Sequence, residues 1–94
     1  MHWMCVVLRL RVEKCTNTRL KRLCIESIVD TIHRHFNVSI AEVGRERPHD
    51  EVTLAACAVG RTKDHARRVI ERVAEALSTF PDAAPVGAPK YLHR

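Results

Sequence analysis

Met4–Val12, MCVVLRLRV, alternates without interruption. Met4, Val6, Leu8, Leu10 and Val12 fall on one side of an extended chain, while Cys5, Val7, Arg9 and Arg11, with Trp3 before them, fall on the other. A period of two marks a half-buried strand, because successive side chains of a pleated backbone point to opposite faces. The uniformly aliphatic set is the one expected to face the core. One face of the sheet is thereby assigned to a covering layer, and the other is left with arginine, cysteine and valine.

The covering layer follows at once. Thr16, Asn17 and Thr18 are cap-type residues whose side-chain oxygens can accept from the free N–H groups of a helix start. Beyond them Leu20, Cys24, Ile25, Ile28, Val29, Ile32 and Phe36 recur every three or four residues, which predicts one buried helical stripe. That helix is expected to end near His35, with Asn37 able to take a left-handed terminating conformation. Val38–Val43 is short and β-branched enough for a second strand. The charged turn Gly44–Asp50, GRERPHD, contains Pro48, which cannot donate to a central ladder. Glu51–Val59 then resumes alternation, with Val52, Leu54, Ala56 and Ala58 on one face, so these two strands are expected to pair as a hairpin. Gly60 breaks the third strand and Thr62 can cap a second helix, whose stripe is Ala66, Val69, Ile70, Val73, Leu77 and Phe80 and whose stop is Pro81. Arg67 or Arg68 with Glu71, and Arg72 with Glu75, have the spacing of exposed helical pairs. Residues 82–94 contain Pro85, Gly87 and Pro89 and read as an irregular tail or a weak edge strand near Lys90–His93.

The resulting order, strand-helix-strand-strand-helix-strand, predicts an α+β domain of the ferredoxin-like split βαβ (βαββαβ) plan, with two helices on one face of an antiparallel sheet. At 94 residues the chain has room for one hydrophobic core, so residues 1–94 are read as a single domain. Only 4% of residues are aromatic, so that core must be mainly aliphatic.

The stretch His35–Gly44, HFNVSIAEVG, resembles the YlxP-like proteins, a small bacterial family of unknown function carrying R-F-N-V-S-[VI]-A-E-V at this place. The resemblance runs from the first strand to the second helix. The family opens its first helix with S-L-K-[ED]-K-R. Here Asn17–Arg22 is NTRLKR, matching at Lys21 and Arg22 and keeping a basic residue at Arg19, with Thr18 and Leu20 as departures. Relatives tend to begin the third strand with W-Q-R, where this chain has His49, Asp50 and Glu51, losing an aromatic and reversing a charge. The resemblance implies a ferredoxin-like fold and a link to translation, since relatives sit beside ribosome-maturation and initiation-factor genes. It implies no catalytic residues.

The formal net charge is +5, which favours polyanionic partners through long-range attraction. Two clusters carry the expectation of phosphate contact: Arg9, Arg11 and Lys14 at the end of the first strand, and Arg19, Lys21 and Arg22 at the start of the first helix. The plainer alternative is a solvated charged face, or arginines paired with Glu42 and Glu51 across the sheet. Stacking of bases on the sheet is disfavoured, because no aromatic lies within the second or third strand. The same face offers a second reading. Cys5, Val7, Ala41, Val43, Ala55, Cys57 and Val59 would line it, and an uncovered apolar sheet commonly meets another copy of the chain.

Several chemistries find no support. His33 and His35, two apart on a helix, point about 200° apart and cannot share a metal. His2, His49, His65 and His93 are scattered, so no metal or other cofactor is expected. Cys5, Cys24 and Cys57 read as small packing residues and Cys15 as the one exposed thiol. No C-x-x-C pair occurs, and Arg9 and Arg11 break the apolar N-terminal run that a secretory signal would need, so free thiols in a reducing cytoplasm are expected. No apolar stretch approaches the roughly 20 residues of a membrane span, so no membrane partner is expected. An acylphosphatase-type cradle would need glycine after the first strand, where the chain reads VEKCTNTR. The function expected is therefore non-enzymatic: an RNA- or ribosome-associated accessory domain, or a homodimeric scaffold or regulatory domain associating through the open sheet face.

Overall fold

The computed structural model describes residues 1–12, 17–44 and 50–93. Seven elements follow one another: β1 (His2–Val12), α1 (Thr18–His35), β2 (Ser39–Glu42), β3 (Glu51–Gly60), α2 (Lys63–Leu77), β4 (Ala83–Pro85) and β5 (Lys90–His93). The sheet runs β2-β3-β1-β4, with β5 also on β1, and every pairing is antiparallel. β1 and β2 flank β3, which is the split βαβ arrangement the alternation predicts.

β1 pairs with β3 along nearly its whole length, from His2 opposite Gly60 to Arg11 opposite Glu51. The register puts Val6, Leu8 and Leu10 against Ala56, Leu54 and Val52, and all six are buried. Ile25, Ile28 and Ile32 of α1 and Ile70, Val73, Ala74 and Leu77 of α2 close over them. Burying each Val, Leu or Ile side chain contributes roughly 1.5–3 kcal/mol before conformational entropy is counted, so this aliphatic layer carries the fold.

Both helix starts form as their cap residues dictate. Asn17 is extended (φ −150°) and its side chain accepts from the Leu20 N–H at 2.9 Å, while Thr62 accepts from His65 N–H at 3.1 Å. The helix ends differ from expectation. α1 stops at an extended Phe36 (φ −136°) whose N–H still bonds the Ile32 carbonyl, so no left-handed residue makes the cap. α2 ends at Leu77, before Pro81 can act. Ser78 caps it, its N–H and hydroxyl both reaching the Ala74 carbonyl, and Phe80 packs on the core from beyond the helix. On α2 the pair that forms is Arg67 with Asp64 at 2.9 Å, rather than Arg67 with Glu71.

β2 is shorter than Val38–Val43, although Val43 N–H still bonds the Thr53 carbonyl at 2.9 Å. The region after α2 holds two short strands instead of one. Val86 N–H continues the β4 ladder to the Arg9 carbonyl at 2.9 Å, and Lys90 lies opposite Val7. Four steps on this edge, 86 to 90, therefore match two on β1, 9 to 7. The surplus is absorbed around Gly87, whose φ of +77° suits a residue without Cβ. Because the surplus is even, the faces stay in phase on either side, and β4 and β5 together serve as the fourth strand.

Leu8→Ala, at a site 1% exposed, is expected to cost about 2–5 kcal/mol in urea unfolding. Asn17→Ala should cost about 1 kcal/mol, through α1 alone.

Candidate functional site

The helices cover one face of the sheet, and the other face is where β1 and β3 bring the predicted site residues together. The ladder fixes their spacing. Val12 N–H bonds the Asp50 carbonyl at 2.6 Å, and bonded pairs alternate along an antiparallel ladder, so Val12/Asp50, Leu10/Val52, Leu8/Leu54 and Val6/Ala56 are the bonded pairs. Every pair on the helix-free side, Trp3/Val59, Cys5/Cys57, Val7/Ala55, Arg9/Thr53 and Arg11/Glu51, is then of the close, non-bonded type.

This face has two halves. Towards the end of β1 it is ionic. Arg9 Nε lies 3.8 Å from Glu51 Oε1, Arg11 Nη2 donates to Glu51 Oε2 at 3.5 Å, and Arg11 Nε is 3.4 Å from Asp50 Oδ2. The Glu51 side chain is only 11% exposed, whereas those of Arg9 and Arg11 remain 41% and 50% exposed. Arg9 Nε is within ion-pair reach of the carboxylate but beyond a hydrogen bond, and it and Thr53 Oγ1 are buried without hydrogen-bond partners. Glu51, which departs from the W-Q-R pattern, is therefore the hub that neutralises the strand arginines. The pairing of Arg9 and Arg11 with Glu51, one of the two alternatives the sequence leaves open, is the arrangement present here.

The other half is apolar. Cys5, Val7, Ala55 and Cys57 are half-buried, Ala41 is exposed, and Val59 stands out at 63% exposure, whereas Val43, 38% exposed, lies beside Thr53 in the row of Arg9. β5 adds Leu92 opposite Cys5. Leu92 went unnoticed in the sequence because its strand lies among prolines and glycine. Cys5 and Cys57 are not core packing residues: they sit side by side on this face, and burial first and the neighbouring Cys57 second push the Cys5 thiol up to about 12.

The helical layer holds the second predicted cation cluster. Arg22 Nη1 donates to Glu42 Oε2 at 3.0 Å, tying α1 to β2. Arg19 and Lys21 are in the first turns of α1, where there is no acidic residue, and among the described residues they form no ion pair. Lys14, Cys15 and His49 lie outside the described residues. Arg61, His65 and Arg68 line an open cavity at the start of α2, an arrangement their spacing of four and three residues could have signalled. A further groove of about 380 Å³ separates the ends of the helices, between Thr31, His35 and Phe36 on one side and Ala76, Thr79 and Phe80 on the other. Its histidine is engaged: Nδ1 is 2.8 Å from the Thr31 carbonyl oxygen and must donate, since a carbonyl only accepts. Among the described residues no group of three His, Cys, Asp or Glu could hold a metal ion, and no helix is long and apolar enough to cross a membrane.

Residues 4–87 match the family described as "Protein of unknown function (DUF503)". The chain belongs to this family. No curated protein matches it. Among solved structures, a de novo designed protein with ferredoxin fold aligns at TM-score 0.51 and 15% identity, covering all of this chain and 86% of the other. At that identity the likeness concerns the fold alone, and it agrees with the strand order. A second designed protein, Foldit4, aligns at TM-score 0.49 and 19% identity over 98% and 96% of the two chains.

Two outcomes follow for the DUF503 chain. Glu51→Gln frees Arg9, leaves Arg11 with Asp50 alone, and should delay elution from a heparin column, while changing stability by no more than about 1 kcal/mol, since these guanidinium groups are solvent-screened. Because the folded chain holds the Cys5 proton more tightly than the unfolded chain does, stability contributed by this thiol is complete below about pH 9. It is lost as pH rises towards 12. Urea midpoints measured across this range should fall less for Cys5→Ser than for the parent chain.

Proposed function

We propose that this DUF503 chain is a non-enzymatic accessory domain that binds RNA or a ribosomal surface electrostatically, through the cations at the start of α1. One observation carries the reading: exposed Arg19 and half-buried Lys21 stand on a helix start whose first turn holds no acidic residue, and among the described residues neither forms an ion pair, in a chain of net charge +5. A helix start of this kind adds oriented N–H groups and a positive dipole end to these two cations, which suits a phosphate backbone. Arg22 stands beside them but is shared with Glu42, and Arg9 and Arg11 are drawn to Glu51, so their contribution to binding is smaller than their charge. The FNVSIAEV run supports the YlxP-like assignment, and with it the link to translation. The absence of aromatics within β2 and β3 favours phosphate contact over base stacking.

A second reading rests on the apolar half of the sheet. Val59 and Leu92 are exposed beside half-buried Val7, Cys5 and Cys57, and a second copy laid on this face would cover them. Burial there would stabilise a dimer at roughly 25 cal/mol per Å² before association costs. The two readings are compatible, since the helices and the start of α1 stay outside such an interface.

Binding to purified ribosomal subunits and to a generic RNA duplex, titrated with salt, separates them. Arg19→Glu/Lys21→Glu should weaken binding at least tenfold at low salt and flatten its salt dependence. Binding that is absent at low salt, or unmoved by this double reversal, would sink the RNA reading. Sedimentation of Val59→Glu against the parent chain tests the dimer, which predicts a shift to monomer.

A further inference from the structure

We infer that Cys5 and Cys57 form a reversible dithiol modification site on the helix-free sheet face, oxidised to an intrachain disulfide by a low-molecular-weight disulfide. The ladder supplies the geometry. Cys5 and Cys57 are directly opposed in register, and the parity set by the Val12–Asp50 hydrogen bond makes them a close, non-bonded pair. Such pairs hold their Cα atoms about 4.5 Å apart, inside the roughly 4.4–6.8 Å window that a disulfide requires. Both thiols are free, both lie on the face that no helix covers, and neither is fully buried. Leu92 and Ser39 flank them across the sheet, so the pair is walled by small or aliphatic side chains and held by strands that cannot drift apart.

The order of events follows from the surroundings of the two sulfurs. Cys5, pushed up by burial and by its neighbour, is poorly suited to attack first. Cys57 loses its proton to solvent and attacks one sulfur of the oxidant R–S–S–R. A Cys57–S–S–R bond forms, the oxidant's S–S bond breaks, and R–S⁻ leaves. The neighbouring thiol of Cys57, the second cause holding the Cys5 proton, disappears in this mixed disulfide. Cys5 then releases its proton and attacks the Cys57 sulfur. The Cys5–Cys57 bond forms and the second R–S⁻ departs with its electron pair, so two thiols are oxidised and one external disulfide is reduced to two thiols. Both reacting sulfurs belong to β1 and β3, so the crosslink ties the two central strands of the sheet without rearranging them.

The test uses the full chain, reduced and then incubated folded with oxidised glutathione. After acid quenching and alkylation in denaturant, the product should be lighter than the reduced chain by about 2 Da before alkylation, with two of its four cysteines unalkylated. Peptide mapping should join the Cys5 and Cys57 peptides. Cys5→Ser should instead retain one glutathione on Cys57, because the resolving sulfur is gone. Four alkylatable cysteines after oxidation of the folded chain, or a crosslink through Cys15 or Cys24, would overturn the assignment. So would a Cys5→Ser chain carrying no glutathione at Cys57.

Discussion

The antiparallel pairing of β1 with β3 is the constraint on which the other features of this molecule depend. Its register places Val6, Leu8 and Leu10 against Ala56, Leu54 and Val52 and so builds the sheet side of the core. The same register, one residue out of phase, places Cys5 against Cys57 and Arg11 against Glu51 on the far side. A slip of a single residue would turn the aliphatic set to water and bury two arginines, at a cost no local compensation could offset. The core and the open face are therefore one decision made twice, and the chemistry of the open face is inherited from the packing of the covered one.

Charge obeys that decision too. Arg9 and Arg11 look in sequence like two cations at the end of a strand, free to meet phosphate. Their real setting is fixed by β3, which delivers Glu51 between them with only 11% of its side chain exposed. A carboxylate this buried is tolerable when guanidinium groups converge on it, and each arginine loses part of its reach for external anions in doing so. α1 shows the opposite case. Arg22 is captured by Glu42, but Arg19 and Lys21 have no acid within the first turn to compete for them. Free charge, rather than total charge, is what a polyanion meets, and among the described residues Arg19 and Lys21 of α1 carry it without an ion pair.

How much of this was legible in the sequence depends on the distance over which each signal acts. Alternation in Met4–Val12 and Glu51–Val59 and the three-and-four spacing of both helices are local patterns, and the elements form where those patterns lie. The cap residues Asn17 and Thr62 are likewise local, and both act as written. The helix ends were less legible, because Ser78 competes with Pro81 for the end of α2, and tertiary packing of Phe80 settles which acts first. β4 was invisible: three residues ending in proline carry no strand pattern, and they pair only because β1 presents a free edge at Leu10–Val12. The ion pairs around Glu51 and the Cys5–Cys57 contact were written in the sequence only jointly. Each needs a residue from β1 and one from β3, more than thirty positions apart, and a register that no single strand specifies.

That last point bears on what kind of face this is. A sheet surface used only for solvent contact has no reason to be divided, yet here a line between Val7 and Arg9 separates an aliphatic and thiol half from an ion-paired half. The ion-paired half matches its arginines with Glu51 and Asp50 at the start of β3, though Arg9 Nε and Thr53 Oγ1 stay buried without hydrogen-bond partners. The aliphatic half stands open: Val59 and Leu92 remain exposed beside the opposed thiols of Cys5 and Cys57. Charge is thus largely paired where the face is ionic, while apolar surface stays uncovered where it is aliphatic. The aliphatic half is the one that gains free energy from being covered, whereas the charged half would have to give up water around Arg9 and Arg11 for little return. Any partner of this face is therefore expected to settle over Cys5, Val7, Cys57 and Val59 and to leave the Glu51 cluster at its rim.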